Sequence, residues 1–594
     1  MNTNLKISAL RKLMREQSIN AYLIGSADPH QSEYTPKYWA TREWISGFNG
    51  SAGTVIVTNS HAGLWTDSRY FLQAEQQLSG SEIVLHKLEV QSQAEHLDWL
   101  CKKLKKGSIV ACDFWCFSLS QIAHYKKVLE EAGLILKDSG DLLTSVWKDR
   151  PELPENPIYE HELKYAGISR VQKLKVVREE MKKHKADWFL VSALDEIAHV
   201  LNLRGSDVHC NPVFVAYLAI SNSESILFIN PKKLSAELKS TLEKNKISIW
   251  PYDKITVFLK SISNSKIWID PATLNAKLFI TLQAGNIYSA SSCIMQNKAV
   301  KNTTEIKNIR RVMEKDAMAI LQAIMWLEEE HAENRTPKEY EFAMKLIQFR
   351  SKQKTYVNES FDAIIGYKAN GAIIHYRPDE KTSAKIRKSG VLLIDTGGQY
   401  LDGTTDITRT IKLGAIKPEI KRHYTAVLMS HIGLAKAIFP RGTKGVQLDT
   451  FARQYMWKEG LNYSHGTGHG VGFFMNVHEP PQGFVTAYNQ RGSAEFVEGM
   501  LTSNEPGYYE EGSHGIRIEN LVLTSFHSAN LQNTFLELET VSLFPIDTSL
   551  IVESMMNRES IIWLNNYHKE VFRRLSRYCN PKQLKWLRTK CKAI

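Results

Sequence analysis

Val391-Leu392-Leu393-Ile394-Asp395-Thr396-Gly397-Gly398, followed closely by Thr404-Thr405-Asp406-Ile407-Thr408-Arg409-Thr410-Ile411, is the most telling stretch of this chain. The apolar run 391–394 reads as a buried strand that ends on Asp395. Gly397 and Gly398 turn the chain, and Thr404, Asp406, Thr408 and Thr410 then alternate with Ile407 and Ile411, the period of a half-buried strand. A carboxylate at the end of a buried strand carries a heavy desolvation cost unless a cation neutralises it. Read alone, the stretch also admits a plainer account, in which Asp395 caps a turn and Asp406 faces solvent.

Two further clusters lie downstream. The first is His465-Gly466-Thr467-Gly468-His469-Gly470-Val471-Gly472, with His478 soon after. Histidines four apart suit a helix face, but this density of glycine opposes a helix, so a strand or loop is expected, where backbone can approach a ligand closely. It is no phosphate or dinucleotide loop, because no Lys-Ser/Thr follows and no Gly-x-Gly-x-x-Gly opens a helix. The second is Ser503-Asn504-Glu505-Pro506-Gly507-Tyr508-Tyr509, then Ile516-Arg517-Ile518-Glu519-Asn520. Pro506-Gly507 is a turn signal that leaves Glu505 at a strand end. Arg517 and Glu519 alternate with Ile516 and Ile518 and so share one side of a strand. The plain reading of these last two is a surface ion pair.

Taken together the clusters assemble Asp395, Asp406, Glu505 and Glu519 with the imidazole of His469. Four carboxylates and one neutral imidazole carry about four negative charges, which two divalent cations balance. Oxygen-rich coordination with one imidazole favours Mn and leaves Co, Zn and Fe open.

Outward from this region, 594 residues are too many for one hydrophobic core, and the composition, 43% hydrophobic and 23% charged, is that of an ordinary globular protein. Residues 1–15 place Leu5, Ile7, Leu10 and Leu13 among polar neighbours, an amphipathic first helix and not a secretory leader. No apolar run is long enough to span a membrane. Seven scattered cysteines, with no second pair to answer Cys112 and Cys116, fit a reducing cytoplasm and argue against a zinc clip. The net charge of +12 gathers partly at the end, from Arg573 to Lys592, on or beyond a helix whose apolar members are Leu564, Tyr567, Val571 and Leu575. A solvated helix face explains that charge better than a nucleic-acid arm.

Two segments resemble each other. Ala21-Tyr22-Leu23-Ile24 leads through Ser26 and Asp28 to Trp44-Ile45-Ser46-Gly47. Ala186 to Val191 leads through Ser192 and Asp195 to Leu201-Asn202-Leu203-Arg204-Gly205. Each is followed by another apolar strand, at 53–57 and 213–220, which implies two similar α/β units in tandem. Pro151, Pro154 and Pro157 mark the linker between them. The second unit ends near Asn297, and a helix with Glu305 in its first turn starts at Thr303 or Thr304. Its buried stripe is Ile306, Ile309, Met313, Ala317, Ile320, Ile324 and Leu327. A helical tail begins near Glu559, and Asn580-Pro581 reads as the cap and first residue of its last helix.

At Asp395, Asp406, His469, Glu505 and Glu519 the sequence resembles the pita-bread metallopeptidases, specifically the Xaa-Pro aminopeptidases. Asn370-Gly371-Ala372-Ile373-Ile374-His375-Tyr376, Asn476-Val477-His478-Glu479, 44–53, 195–207, Asn211-Pro212-Val213-Phe214 and Pro545-Ile546-Asp547-Thr548 extend the likeness along nearly the whole chain. The resemblance implies an architecture of α/β and α+β parts. Two tandem creatinase-N-like α/β domains, 1–150 and 158–298, precede a pita-bread catalytic domain, 302–545, and a C-terminal helical tail, 546–594.

It further implies that Asp406 and Glu519 bridge two metals, that Asp395 completes one shell, and that His469 and Glu505 complete the other. A bridging hydroxide is then the nucleophile and Glu505 relays its proton. His375 and His478 resemble the family's histidines at the scissile carbonyl. His465, Tyr509 and Arg517 resemble the wall of a proline pocket, with Arg517 also steadying nearby carboxylates. The implied substrates are peptides beginning Xaa-Pro, with neither nucleic acid nor membrane as a partner, and the implied assembly is a homodimer in the cytoplasm. One departure stands out: Pro480-Pro481 follow Glu479 where the family has Gly, and two prolines stiffen a turn there. The nearest rival is a prolidase-type Xaa-Pro dipeptidase on the same fold. A creatinase-like enzyme or a metal-free binding scaffold would have lost ligands that this chain keeps.

Overall fold

The structure, a computed structural model, describes residues 1–88, 94–282 and 285–594. The chain divides into two compact units, one formed by 1–162 with 168–295 and the other by 163–167 with 296–594.

The first unit opens with helix α1 (Thr3–Glu16), capped by Asn2 and burying Ile7, Leu10 and Met14. The expected stripe included Leu5, which is 56% exposed instead. Spacing of three and four from Ile7 rotates that position away from the sheet. The sequence likeness between 21–57 and 186–220 becomes a structural repeat. Strands β1 (Ala21–Ile24), β2 (Thr54–Thr58), β3 (Ala62–Thr66), β4 (Val84–Lys87), β5 (Ile109–Cys112) and β6 (Ile135–Asp138) form a sheet in the order β4-β3-β2-β1-β5-β6. Strands β7 (Trp188–Val191), β8 (Ala216–Ser221), β9 (Ser225–Ile229), β10 (Ile247–Trp250), β11 (Ile267–Ile269) and β12 (Ile287–Ser289) repeat it as β10-β9-β8-β7-β11-β12. The central strand of each is antiparallel to one neighbour and parallel to the other. Each sheet thus combines a central antiparallel hairpin with parallel strands at both edges.

The second unit begins with the long helix α2 (Thr303–Ala332). Its cap is Asn302, one residue before the expected start, and Asn302 and Glu305 form a reciprocal capping box. Glu305 therefore works through a hydrogen bond to Asn302 N as well as through the helix dipole. Of the expected stripe, Ile309, Met313, Ala317, Ile320, Ile324 and Leu327 are buried and Ile306 packs at the margin. Helix α3 (Glu339–Arg350) follows, then the sheet β13 (Ile364–Tyr367), β14 (Val391–Thr396) and β15 (Ile407–Lys412), with β14 in the centre. The alternating segment 404–410 is buried on both faces and not on one, because other parts of the unit cover the side that the sequence pattern assigned to water.

Helix α4 (Pro418–Ala435) leads to a six-stranded sheet built from β16 (Ile438–Pro440), β17 (Gly468–Gly470), β18 (Glu479–Phe484), β19 (Leu501–Asn504), β22 (Asn520–Ala529) and β23 (Thr534–Thr540). A separate hairpin, β20 (Gly507–Glu510) and β21 (His514–Arg517), joins β19 to β22. Pro480 and Pro481 do not form the expected turn. They sit in edge strand β18, where the pairing with β17 jumps from Gly470↔Glu479 to His469↔Gly483. A bulge at a sheet edge accommodates residues without an N–H donor.

Helices α5 (Arg558–Leu575) and α6 (Pro581–Lys590, capped by Asn580) join the core of this unit. Leu564, Tyr567, Val571 and Leu575 share a cluster with α2, β14 and α4. Most of the basic tail is solvated, as its sequence suggests: Arg573, Arg577, Lys582, Lys585, Arg588 and Lys592 are exposed. Arg574 and Arg577 both pair with buried Glu314 of α2, at 2.5 and 2.7 Å, and Lys582 and Lys590 reach Glu329 and Glu328. These acids on α2 give that face ion-pair partners which the sequence alone does not reveal.

Candidate active site

Four acids and one histidine converge from separate strands. Asp395 lies in β14 opposite Thr408 of β15. Its Oδ2 accepts from Arg517 Nη2 at 2.5 Å, while Oδ1 is buried without a hydrogen-bond partner. Asp406, 4% exposed, immediately precedes β15. Glu519 sits between β21 and β22. Its N–H donates to the Thr408 carbonyl at 3.1 Å, and its Oε2 accepts from Thr408 Oγ1 at 2.8 Å. Glu505 follows β19, anchored by its N–H to the Thr467 carbonyl (2.8 Å) and by Ser503 Oγ donating to Oε1 (3.1 Å).

His469, in β17, donates from Nδ1 to the Gly470 carbonyl at 2.9 Å. A carbonyl only accepts, so the lone pair is on Nε2, which lies 3.4 Å from Glu505 Oε1 and 3.6 Å from Asp406 Oδ2. One donor atom from each of Asp406, His469 and Glu519 lies within 4.8 Å of the others.

Burial and mutual repulsion dominate the electrostatics. Asp406 is held well above the ordinary carboxylate range by burial, then by Glu519, Asp395 and Glu505. Glu519 is raised likewise, by burial first and then by Glu505 and Asp395. Glu505 is pushed up to about 7, mainly by burial, with Arg517 opposing and Asp395 reinforcing. Carboxylates crowded in a buried space with an unpartnered oxygen and an imidazole lone pair form a donor set suited to divalent cations. The plain readings of these residues therefore do not hold: Asp406 is not solvated, and Arg517 and Glu519, 2% and 1% exposed, are not a surface pair.

The remaining expected residues adjoin this cluster. His465 donates from Nδ1 to the Gly466 carbonyl (2.8 Å), so its Nε2 accepts from Tyr509 Oη at 2.8 Å. Arg517 Nη1 donates to the same oxygen at 2.7 Å, and its Nε reaches Thr408 Oγ1 at 3.3 Å. One guanidinium thus ties His465 and Tyr509 to Asp395. The His478 ring stands edge-on to His469, centroids 4.3 Å apart. His375, half-buried, directly follows Ile374, whose carbonyl lies 3.4 Å from Arg517 Nη2.

Several supporting residues escape a reading of the sequence. His431 of α4 donates from Nδ1 to the Asn504 carbonyl (3.1 Å) and accepts at Nε2 from Asn520 Nδ2 (3.0 Å), bridging the neighbours of Glu505 and Glu519. Arg409 holds the Glu519 carbonyl at 2.6 Å and also reaches Tyr567 Oη of α5 at 2.8 Å. Glu339 of α3 accepts from Asn370 Nδ2 (3.0 Å) and Tyr376 Oη (2.8 Å), on either side of His375. Glu479, next to His478, pairs with Lys301 and, at 3.1 Å, with Lys298. A lone His or Glu within an amphipathic helix carries no such signal. The Thr/Asp alternation around Thr408 was the one usable hint.

Comparison with known proteins places these features in a family. Residues 6–146 and 149–305 each match the creatinase/prolidase N-terminal domain. Residues 307–525 match metallopeptidase family M24, and 534–594 match the C-terminal region of peptidase M24. The chain is 40% identical to Xaa-Pro aminopeptidase 1 of Dictyostelium discoideum, over 99% of this chain and 96% of that protein. It is 39% identical to aminopeptidase P2 of Arabidopsis thaliana, covering 96% and 86%. The crystal structure of the X-prolyl aminopeptidase from Caenorhabditis elegans, a cytosolic enzyme with a di-nuclear active site, superposes with a TM-score of 0.96. That protein is 34% identical, and all of both chains is covered.

Proposed function

Since this chain belongs to the Xaa-Pro aminopeptidases of metallopeptidase family M24, we propose that it hydrolyses the N-terminal Xaa-Pro bond, releasing the first amino acid from peptides with proline second. The observation that carries the reading is the buried set of Asp406, His469 and Glu519 donors within 4.8 Å, beside the unpartnered Asp395 Oδ1. Asp395, Asp406, His469, Glu505 and Glu519 would hold two divalent cations. Such a pair, when bound, acidifies a water into a nucleophile and polarises the scissile carbonyl.

The chain's own groups supply the rest. Glu505 takes up the proton that the attacking water releases and returns it to the departing proline nitrogen. His375 and His478 donate to the carbonyl oxygen as negative charge develops there. His465, Tyr509 and Arg517 wall the pyrrolidine ring, and Arg517 keeps Asp395 in register with that wall. The mainly carboxylate donor set supports manganese.

A homodimer in the cytoplasm completes the proposal. The compartment is supported by the cytosolic Caenorhabditis elegans relative, and no helix among the described residues is long and apolar enough to cross a membrane. The division into 1–150, 158–298, 302–545 and 546–594 is our proposed domain scheme. A prolidase is disfavoured because relatives matching the chain end to end are aminopeptidases. Asp406→Ala tests the site: metal content and turnover should be lost together, and a variant with normal turnover would refute the assignment.

A further inference from the structure

A second cluster of metal-ligand type lies in the same unit, outside the site described above. His423 projects from α4, while Glu510 and His514 face each other across the tip of the β20–β21 hairpin. His423 Nδ1 and His514 Nε2 lie 3.1 Å apart, and one donor atom from each of His423, Glu510 and His514 lies within 4.8 Å of the other two. Two imidazole nitrogens aimed at one another need either a hydrogen or a cation between them. Their spacing suits a shared cation, since metal–nitrogen bonds of about 2.0–2.1 Å in a tetrahedron place the two nitrogens roughly 3.3 Å apart.

The surroundings favour the metal-ready form. His514 Nδ1 has Ser513 Oγ at 2.8 Å and Glu510 Oε2 at 3.3 Å, so a hydrogen on Nδ1 leaves the Nε2 lone pair toward His423. Both rings are buried, at 8% and 1% exposure, and burial lowers both below the ordinary imidazole range, keeping them neutral. Glu510 keeps 40% of its side chain in solvent, which gives an ion a way in. Glu419, one helical turn before His423, adds negative charge.

We propose that His423, His514 and Glu510 form a separate binding site for a zinc-class divalent cation, with solvent in the fourth position. Ion binding there ties the hairpin tip to α4. The same hairpin carries Tyr509 and Arg517, and α4 carries His431, so the site is built to stiffen the wall beside Asp395. It does not depend on the aminopeptidase reading.

Zinc alone, titrated by equilibrium dialysis into chelator-stripped full-length protein, tests it. The Asp406→Ala chain should retain one equivalent. Adding Glu510→Gln should weaken that equivalent by about tenfold or more, and adding His423→Gln should abolish it. Cobalt in the same background should give the intense visible bands of a tetrahedral site, lost with His423→Gln. Should Asp406→Ala not fold, Glu510→Gln and His423→Gln in the otherwise unaltered chain should each cost the corresponding single equivalent, with the melting curve kept as control. A retained equivalent indifferent to these changes, or no equivalent beyond those lost with Asp406, would leave a ring-to-ring hydrogen bond only and overturn the proposal.

Discussion

Stripping divalent cations from this protein should destabilise it by an amount that grows with pH. Glu505 moves from an ordinary 4.5 to about 7, and Asp406 and Glu519 are also raised. A carboxyl with a raised folded-state pKa holds its proton where the unfolded chain has released it. Between about pH 4.5 and 7 the folded apo-protein therefore binds more protons than the unfolded one, and its stability falls as pH rises. Each displaced proton contributes about 1.4 kcal/mol per pH unit, so Glu505 alone accounts for about 3 kcal/mol across the window.

Cations replace those protons and remove the loss. The buried histidines pull the other way, since His431 is lowered to about 3 and His568 to about 4. They act equally with and without metal, and the difference between the two curves isolates the carboxylates. Thermal midpoints of manganese-loaded and chelator-treated protein should be read from pH 5 to 8. Their gap should widen by about 4 °C or more between pH 5 and 7. A gap that stays constant, or narrows as pH rises, would refute the reasoning.

Two substitutions probe how the site is held. Arg517→Lys keeps the charge but not the fork that joins Asp395 to Tyr509, and should lower kcat/KM about thirtyfold, equivalent to about 2 kcal/mol; wild-type kinetics would remove Arg517 from the site's scaffold. Glu339→Gln turns an amide N–H₂ toward the donors of Asn370, Tyr376, Tyr367 N and Ala384 N, and should cost about 2 kcal/mol of stability. It should also lower kcat more than it raises KM, because the loop bearing His375 loosens; an unchanged ratio of the two would separate Glu339 from that loop.

The parts legible in the sequence share a physical trait, namely local pattern under strong cost. Asp395 at the end of an apolar strand and glycines around His469 are unusual enough to announce themselves. The repeat of 21–57 in 186–220 is likewise visible, because each copy carries the same strand-to-helix punctuation. The misses are long-range. Thr404 to Thr410 alternate like a half-exposed strand, yet both faces are covered by segments far away in sequence. Arg517 and Glu519 look like a surface pair until Thr408 and Asp395 are placed beside them. Arg574 looks solvated until buried Glu314 is found opposite. Pro480-Pro481 reads as a turn by composition, and only the pairing of β17 with β18 reveals an edge bulge. His431 and Arg409 act through backbone carbonyls, which no side-chain pattern encodes.

The central claim, removal of the first residue from peptides with proline second, is tested most directly by comparing manganese-loaded enzyme on Xaa-Pro-Yaa, Xaa-Ala-Yaa and the dipeptide Xaa-Pro. Ready release of Xaa is expected from the proline tripeptide, very slow release from the alanine analogue, and slower cleavage of the dipeptide. Equal rates on the two tripeptides would contradict the proline pocket of His465, Tyr509 and Arg517, and cleavage confined to the dipeptide would make the protein a prolidase.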